Sequence, residues 1–189
     1  MAEMTEDLDA VDLLLAQHEQ MRTLFEEVSS AEGDTKRELF DDLVRLLAMH
    51  ETAEEEVVHP MARRKLDDGD DIVDSRLAEE EDAKQVLSDL YDMGVDAPGF
   101  DEGLAELAQD VIAHAEAEEA EEFIMLREVL EPQQLQRMAT AIRAVQAMAP
   151  TRPHPAAGES ATANILAGPP LAVFDRMRDA IRDWTSSHP

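Results

Sequence analysis

Apolar residues recur with a helical period along four consecutive segments of this 189-residue chain, and this period constrains the fold more than any other feature of the sequence. The segments, which draw their interior mostly from Ala, Leu, Val and Met, cover about residues 7–30, 35–65, 72–91 and 101–130. Gly33, the turn at 67–71 and the loop at 94–100 separate them. Long amphipathic helices with short connections favour an all-α, up-down-up-down four-helix bundle. Pro60 is expected to kink the second helix or to end its regular part.

The last third of the chain predicts additional helices. A fifth helix is expected at 133–148, followed by a Pro/Ala-rich linker at about 150–163. A final amphipathic segment at 171–184 contains the single tryptophan. We therefore expect a bundle domain over residues 1–131 and a C-terminal helical extension over 132–189. The final segment either docks on the bundle or mediates a dimer, so the chain is expected to be a monomer or a weak homodimer.

Charge and composition exclude several classes of partner. The formal net charge is −28, from 44 acidic and 16 basic residues, and such a surface repels nucleic acids and anionic membranes. Cysteine is absent, so the chain has no disulfides and no thiolate ligands. The acidic first residues lack a signal-peptide pattern, and no apolar run approaches the ~20 residues of a membrane span. These features predict a soluble cytoplasmic protein with no nucleic-acid partner and no membrane partner.

Three of the six histidines fall on the apolar faces of different predicted helices: His18, His50 and His114. Glu54 follows His50 and Glu118 follows His114 by four residues, a spacing that places both side chains of a pair on one helix face. A single histidine on such a face is usually a hydrogen-bonded core residue, but three on separate helices favour a shared role. Burying the glutamates without a cation or partner is costly. Imidazole with bridging carboxylates is the ligand mixture of a two-metal site in a helical bundle.

The third helical segment contains no histidine, so its donor must be a carboxylate. Glu80 lies near the middle of its apolar stripe, whereas Glu79 and Glu81 lie on the flanks and are predicted to be solvated. Glu80 is therefore the predicted donor, and Glu81 remains the alternative. Lys84 lies on the same side, where it either extends to solvent or pairs with a carboxylate of the site.

The other polar residues near these positions are weaker candidates. Glu51 points about 100° away from His50, so solvent exposure competes with metal ligation. His59 lies nearly opposite His50 on an ideal helix, and we predict that it is at the surface or touches a ligand from outside without binding metal. The remaining glutamates are predicted to form a solvated acidic rim: Glu55, Glu56, Glu119, Glu121 and Glu122.

Three stretches carry a resemblance to a known family: LLLAQHEQMRTLF around His18, MHETAEEEVVHP around His50, and AHAEAEEAEEF around His114. Together they resemble the hemerythrin-like family of HHE cation-binding domains over about residues 11–130, and the additional C-terminal helices resemble its actinobacterial members. The resemblance implies a four-helix bundle that holds two non-haem iron ions in an oxo- and carboxylate-bridged centre. It implies three terminal histidine ligands, Glu54 and Glu118 as bridges, and Glu51 as a further ligand in some members.

The chain departs from the oxygen-carrying members at Glu80, where they supply histidine. The implied centre is richer in carboxylate, and hard oxygen donors favour ferric iron, so redox turnover is expected over oxygen storage. We expect a protein that handles peroxide or oxygen, with catalase-like decomposition of hydrogen peroxide as the concrete hypothesis. The alternative is a non-enzymatic module that binds or senses iron, oxygen or nitric oxide. Iron storage and a metal-free interaction protein are further alternatives, and manganese or zinc also suits these donors.

Overall fold

A computed structural model describes residues 8–148, and every regular element in that range is helical. The predicted all-α class is therefore confirmed. The helices are α1 (Ala10–Ser30), α2 (Gly33–Ala53), α3 (His59–Lys65), α4 (Gly69–Met93), α5 (Phe100–Ala117), α6 (Phe123–Val129) and α7 (Pro132–Met148). The predicted linker and the amphipathic segment at 171–184 lie outside the described residues.

Two π-helical turns interrupt the second and fourth long helices of the bundle. Glu54–Val58 joins α2 to α3, and Glu118–Glu122 joins α5 to α6. In each turn a backbone N–H bonds to the carbonyl five residues earlier, from His59 to Glu54 and from Phe123 to Glu118. Within such a turn, the residue at position i+5 therefore lies one turn after residue i, as the residue at position i+4 does in an α-helix. Both turns begin at a glutamate that the sequence assigns to the site.

Local signals in the sequence set the helix ends. Asp9 caps α1 by accepting a 2.9 Å hydrogen bond from the Asp12 N–H, and the Asp12 carboxylate accepts one from the Asp9 N–H at 3.2 Å. Gly94 ends α4 with φ of 82°, a conformation that favours glycine. Pro60 is the second residue of α3, directly after the first π-helical turn, so the regular α-helical bonding ends before the proline.

The core divides into two apolar clusters, and the polar site residues lie between them along the bundle. One cluster packs around Phe40, Phe100 and Leu107, and the other around Leu14 and Phe123. Helix α7 adds buried apolar side chains to the second cluster, namely Leu135, Met138, Ala139 and Ile142. Since α7 packs on α1 and α2, it covers the bundle, while the predicted domain boundary after residue 131 stays a prediction.

Candidate metal centre

Each long helix of the bundle contributes a donor to one polar layer. Two overlapping groups of potential metal ligands have donor atoms that all lie within 4.8 Å of one another. The first group is His18, His50, Glu54 and Glu118, and the second is Glu54, Glu80 and His114. Because Glu54 belongs to both, the layer has the form of two adjacent cation positions with a shared carboxylate. All predicted site residues are buried except His114, which is half-buried.

All three imidazoles of these groups point Nδ1 outward and Nε2 inward. Each Nδ1 lies within hydrogen-bonding distance of a side-chain oxygen: 2.8 Å from His18 to Glu119, 2.9 Å from His50 to Gln17, and 2.8 Å from His114 to Glu79. Since these oxygens accept, each Nδ1 donates, which leaves a lone pair on the Nε2 of the neutral ring. Metal-binding histidines are oriented in this way, with the outer nitrogen donating to a carboxylate or carbonyl.

The inward Nε2 atoms meet in an arrangement that hydrogen bonds alone do not satisfy. Nε2 of His18 lies 3.1 Å from Nε2 of His50, which itself lies 3.1 Å from Oε1 of Glu54. When both rings carry their proton on Nδ1, the two lone pairs face each other. Burial, together with the neighbouring His18, lowers the pKa of His50 well below its usual value. A proton is therefore disfavoured at His50, and a metal cation accounts for the convergence.

The carboxylates around these nitrogens are also short of partners. Among residues 8–148, buried oxygens without a hydrogen-bond partner comprise both oxygens of Glu54, Glu118 and Glu122 and one oxygen each of Glu51 and Glu80. Burial raises the pKa of Glu54 well above its usual value, and the nearby Glu118 carboxylate adds to the effect. Buried polar groups without partners are costly. A cation bound between these oxygens offsets that cost, so the residues present fit a metal.

Glu118 lies between the two groups. Its Oε2 is 3.4 Å from Nε2 of His18, and its Oε1 is 3.4 Å from Nε2 of His114. Burial alone would raise the pKa of Glu118, but these two imidazoles outweigh it and hold the pKa below the usual value. One oxygen thus faces each cation position, which is the placement that a bridging carboxylate needs.

Lys84 pairs with carboxylates of the site, the second of the two alternatives from the sequence. Its Nζ lies 2.8 Å from Oε1 of Glu55, 3.2 Å from Oε2 of Glu51 and 3.6 Å from Oε2 of Glu80. Glu51 is buried rather than solvated, and burial raises its pKa to about 8 although Lys84 opposes the shift. A metal-binding role for Glu51 stays a prediction.

Two residues predicted to be peripheral lie inside the bundle. His59 is buried, with Nε2 2.8 Å from Oε1 of Glu80 and Nδ1 3.5 Å from Oε1 of Glu122. The surface alternative for His59 was wrong because the π-helical turn places it one turn after Glu54 on the inner face. Glu122 is fully buried, so its assignment to the solvated rim was also wrong. Its spacing of four residues from Glu118 is the signal in the sequence that could have placed Glu122 on the inner face.

The remaining glutamates separate by exposure. Glu80 is buried and Glu81 is exposed, so Glu80 is the residue that the third long helix brings to the site. Glu79 is exposed as predicted, whereas Glu119 is partly buried, and they accept the hydrogen bonds from His114 and His18, respectively. Of the other rim residues, Glu121 is exposed, while Glu55 and Glu56 are partly buried.

A small pocket of about 20 Å³, close to the room that one water molecule needs, adjoins the donors. Its walls combine site residues, among them His114 and Glu80, with apolar side chains that include Met21, Leu47 and Val111. The pocket gives a molecule about the size of water a place to lie next to donors of both cation positions.

A helical bundle in which each long helix supplies imidazole or carboxylate donors to two adjacent cation positions defines a class of metal-binding bundle proteins. The family model described as "Hemerythrin HHE cation binding domain" matches residues 9–126, and the chain belongs to this family. The resemblance seen in the sequence is thereby confirmed.

Individual relatives agree with this assignment. A hemerythrin-like protein of Schizosaccharomyces pombe is 25% identical over 175 residues, covering 92% of this chain and 86% of the relative. A DNA nickase of Nostoc is 28% identical over 142 residues, covering 75% of this chain but only 40% of the nickase. The crystal structure of an HHE domain-containing protein from Mycobacterium kansasii matches with a TM-score of 0.65 and 21% identity, covering 72% of this chain and 84% of that chain. This structural match shows the shared fold.

Within residues 8–148, no helix combines the length and the apolar character needed to span a bilayer.

Proposed function

We propose that this chain is a non-haem di-iron protein that handles peroxide or oxygen, and that its specific reaction is catalase-like decomposition of hydrogen peroxide. One observation carries the proposal: Nε2 atoms of His18 and His50 face each other at 3.1 Å among buried carboxylates that lack partners. Membership of a cation-binding family supports the same interpretation. The reaction converts two molecules of hydrogen peroxide into two of water and one of oxygen, so it needs no other reductant.

The donor set suits iron, although manganese and zinc accept similar ligands. His18 and His50 would hold one ion, His114 and Glu80 the other, and Glu54 and Glu118 would lie between them. Two iron ions bound there would supply the electron transfers that peroxide or oxygen chemistry requires. The protein residues orient the imidazoles, bury the carboxylates and keep bulk water away from the ions.

The adjoining pocket supports a small uncharged substrate. Met21, Leu47 and Val111 give part of its walls an apolar character, which suits hydrogen peroxide or oxygen. A more open hollow adjoins the pocket, and Glu79, Asp110 and His114 line both.

We infer that nucleic acid is not a partner, although one relative is a nickase. The chain spans less than half of that protein, and a net charge of −28 opposes binding to a polyanion. Incubation of the metal-loaded protein with supercoiled plasmid should leave the plasmid intact, whereas the appearance of nicked circles would contradict this inference.

We also propose that the protein acts in the cytoplasm as a monomer or a weak homodimer. The absence of cysteine from the chain is compatible with a reducing compartment. Fractionation of the source cells and light scattering of the purified protein test the two points separately.

Elemental analysis, visible and ultraviolet absorption, and oxygen evolution from added peroxide test the proposed function together. We expect about two irons per chain, as the two overlapping donor groups imply, with near-ultraviolet oxo-bridge absorption and oxygen release. His50→Ala should lose iron, whereas Thr52→Val, a near-isosteric change two residues away in the same helix, should keep it. Iron without peroxide consumption would favour the binding or sensing alternative. No metal after anaerobic ferrous reconstitution would contradict the metal site itself.

A further inference from the structure

The imidazole of His59 lies between two buried carboxylates, those of Glu80 and Glu122. Its Nε2 donates to Oε1 of Glu80 at 2.8 Å, and its Nδ1 lies 3.5 Å from Oε1 of Glu122. All three residues are buried, and neither His59 nor Glu122 belongs to the two groups of converging donors. The imidazole therefore contacts a donor without being one.

The two oxygens of Glu80 differ in their surroundings. Oε1 accepts the hydrogen bond from His59, whereas Oε2 has no hydrogen-bond partner and lies 3.6 Å from Nζ of Lys84. An oxygen engaged by a buried N–H is a poorer metal ligand than one with free lone pairs. Oε2 is therefore the oxygen that remains available to a cation.

The ring of His59 is itself held in place from behind. Glu122 is fully buried at the end of the second π-helical turn, and the first π-helical turn directly precedes His59. Nδ1 and the Glu122 oxygens make an ion pair but no hydrogen bond, so rotation of the ring would break the only hydrogen bond of the imidazole, the one from Nε2 to Oε1 of Glu80, which is costly in a buried layer. The hydrogen bond to Glu80 is thus a fixed feature of the site.

We propose that His59 is a positioning residue that restricts Glu80 to ligation through one oxygen, so that a coordination position stays open beside the pocket. The inference rests on the proposed metal-binding function. Glu80 lines the pocket together with His114, the other terminal donor of the same group. A Glu80 that bound with both oxygens would fill the position that a small ligand must occupy.

A matched pair of variants separates the hydrogen bond from the charge of the ring. Gln at position 59 can extend an N–H₂ group to where Nε2 lies, whereas Asn is one methylene shorter and falls short of Glu80. Both changes remove the imidazole. The native protein and both variants are loaded with cobalt(II), checked for metal content, and titrated with azide as the probe ligand while the visible spectrum is recorded.

We expect His59→Asn to keep its cobalt but to bind azide at least about tenfold more weakly, the lower range for losing a residue that orients a ligand. Its visible absorption should also weaken, because cobalt(II) absorbs less strongly as its coordination number rises to six. His59→Gln should behave like the native protein in both respects. Glu122→Gln, which removes the charge behind the ring, should weaken azide binding in the same direction and serves as the second test if His59→Asn does not fold.

Equal azide affinity in His59→Asn and the native protein would overturn the inference, and so would equal weakening in both variants at this position. Loss of cobalt from His59→Asn would also overturn it, because His59 would then be needed for metal binding itself. If His59→Asn does not fold, unchanged azide binding by Glu122→Gln is the contrary result. A native protein that takes up no cobalt would instead count against the proposed function.

Discussion

At the scale of single residues, the site depends as much on the acceptors behind the imidazoles as on the imidazoles. Glu119, Gln17 and Glu79 each receive the outward Nδ1–H of one histidine. These contacts fix which nitrogen faces the cation positions, so a change at an acceptor acts on metal binding through the orientation of the ring.

Glu119 offers the clearest test of this dependence. Glu119→Ala removes the acceptor for Nδ1 of His18 and the 3.1 Å ion pair with Arg22. We expect metal affinity, measured by competition with a chelator, to fall by about 10- to 100-fold. Glu116→Ala, an exposed position in the same helix, removes the same charge and should leave the affinity near that of the native protein. Equal losses in both variants would show that the charge, and not the orientation of His18, sets the affinity.

Most of the donors that converge in the structure were predicted from the sequence. Three histidines and three glutamates predicted from helical spacing do converge, because residues four apart share a face whatever the tertiary detail. Gln17 was missed because a glutamine on an apolar stripe carries no spacing signal of its own. Glu119 was assigned to the rim because helical periodicity predicts only how exposed a side chain is. A partly exposed glutamate can still orient a buried histidine, and periodicity does not reveal this role.

At the scale of elements, the two π-helical turns explain the largest differences from the sequence prediction. Each turn adds a residue to the local repeat, so every later side chain is rotated relative to a continuous α-helix. His59 thereby moves from the predicted outer face to the inner one, and Phe123 stacks on the ring of His18 with centroids 5.6 Å apart. A prediction that assumes 3.6 residues per turn places the helices correctly but misplaces the side chains beyond such a turn.

The contact between α3 and α4 gives a prediction about packing. A Cβ added at Gly69 would overlap the carbonyl oxygen of Ala62 and lie 2.9 Å from Cα of Arg63, so only backbone movement could relieve the contact. Gly69→Ala should therefore lower the free energy of unfolding by about 1–3 kcal/mol. Chemical denaturation followed by circular dichroism measures the change.

Gly103 is the matched control, because it is also helical and its added Cβ would meet only the flexible side chain of Leu90, at 2.8 Å. Gly103→Ala should stay within about 1 kcal/mol of the native value, since the helix propensity of alanine offsets the shift of Leu90. A Gly69→Ala variant as stable as Gly103→Ala would mean that the two helices are not held as closely as the structure shows.

At the scale of the whole molecule, the bundle buries several ionisable groups in one layer between two apolar clusters. The apolar clusters stabilise the fold, whereas the layer between them costs free energy unless a cation or protons neutralise it. Metal binding and folding are therefore coupled, and the metal-free protein should respond to pH in a way that the loaded protein does not.

The sign of that response depends on four groups, the first of which is Glu54, because burial raises its pKa well above the usual value. Burial raises the pKa of Glu51 to about 8. Burial would lower the pKa of His59 and of His114, but their carboxylate partners, Glu122 with Glu80 and Glu118 with Glu79, outweigh it and raise both to about 9. In each case the folded protein keeps protons that the unfolded chain has released, so the associated stability is lost as pH rises through the raised pKa. The lowered pKa values of His50 and Glu118 change the stability only at pH values below the usual pKa of each group, 6.5 for His50 and 4.5 for Glu118.

We therefore expect the melting temperature of the metal-free protein to fall steadily between pH 6.5 and pH 9, the interval set by His59 and His114. The melting temperature of the metal-loaded protein should fall less, because His114 would already be deprotonated as a ligand, while His59 would keep its proton in both forms. Calorimetric scans of both forms across this interval should show a difference in melting temperature that widens with pH. A metal-free protein whose melting temperature is constant or rises over the interval would mean that the buried layer does not hold these protons.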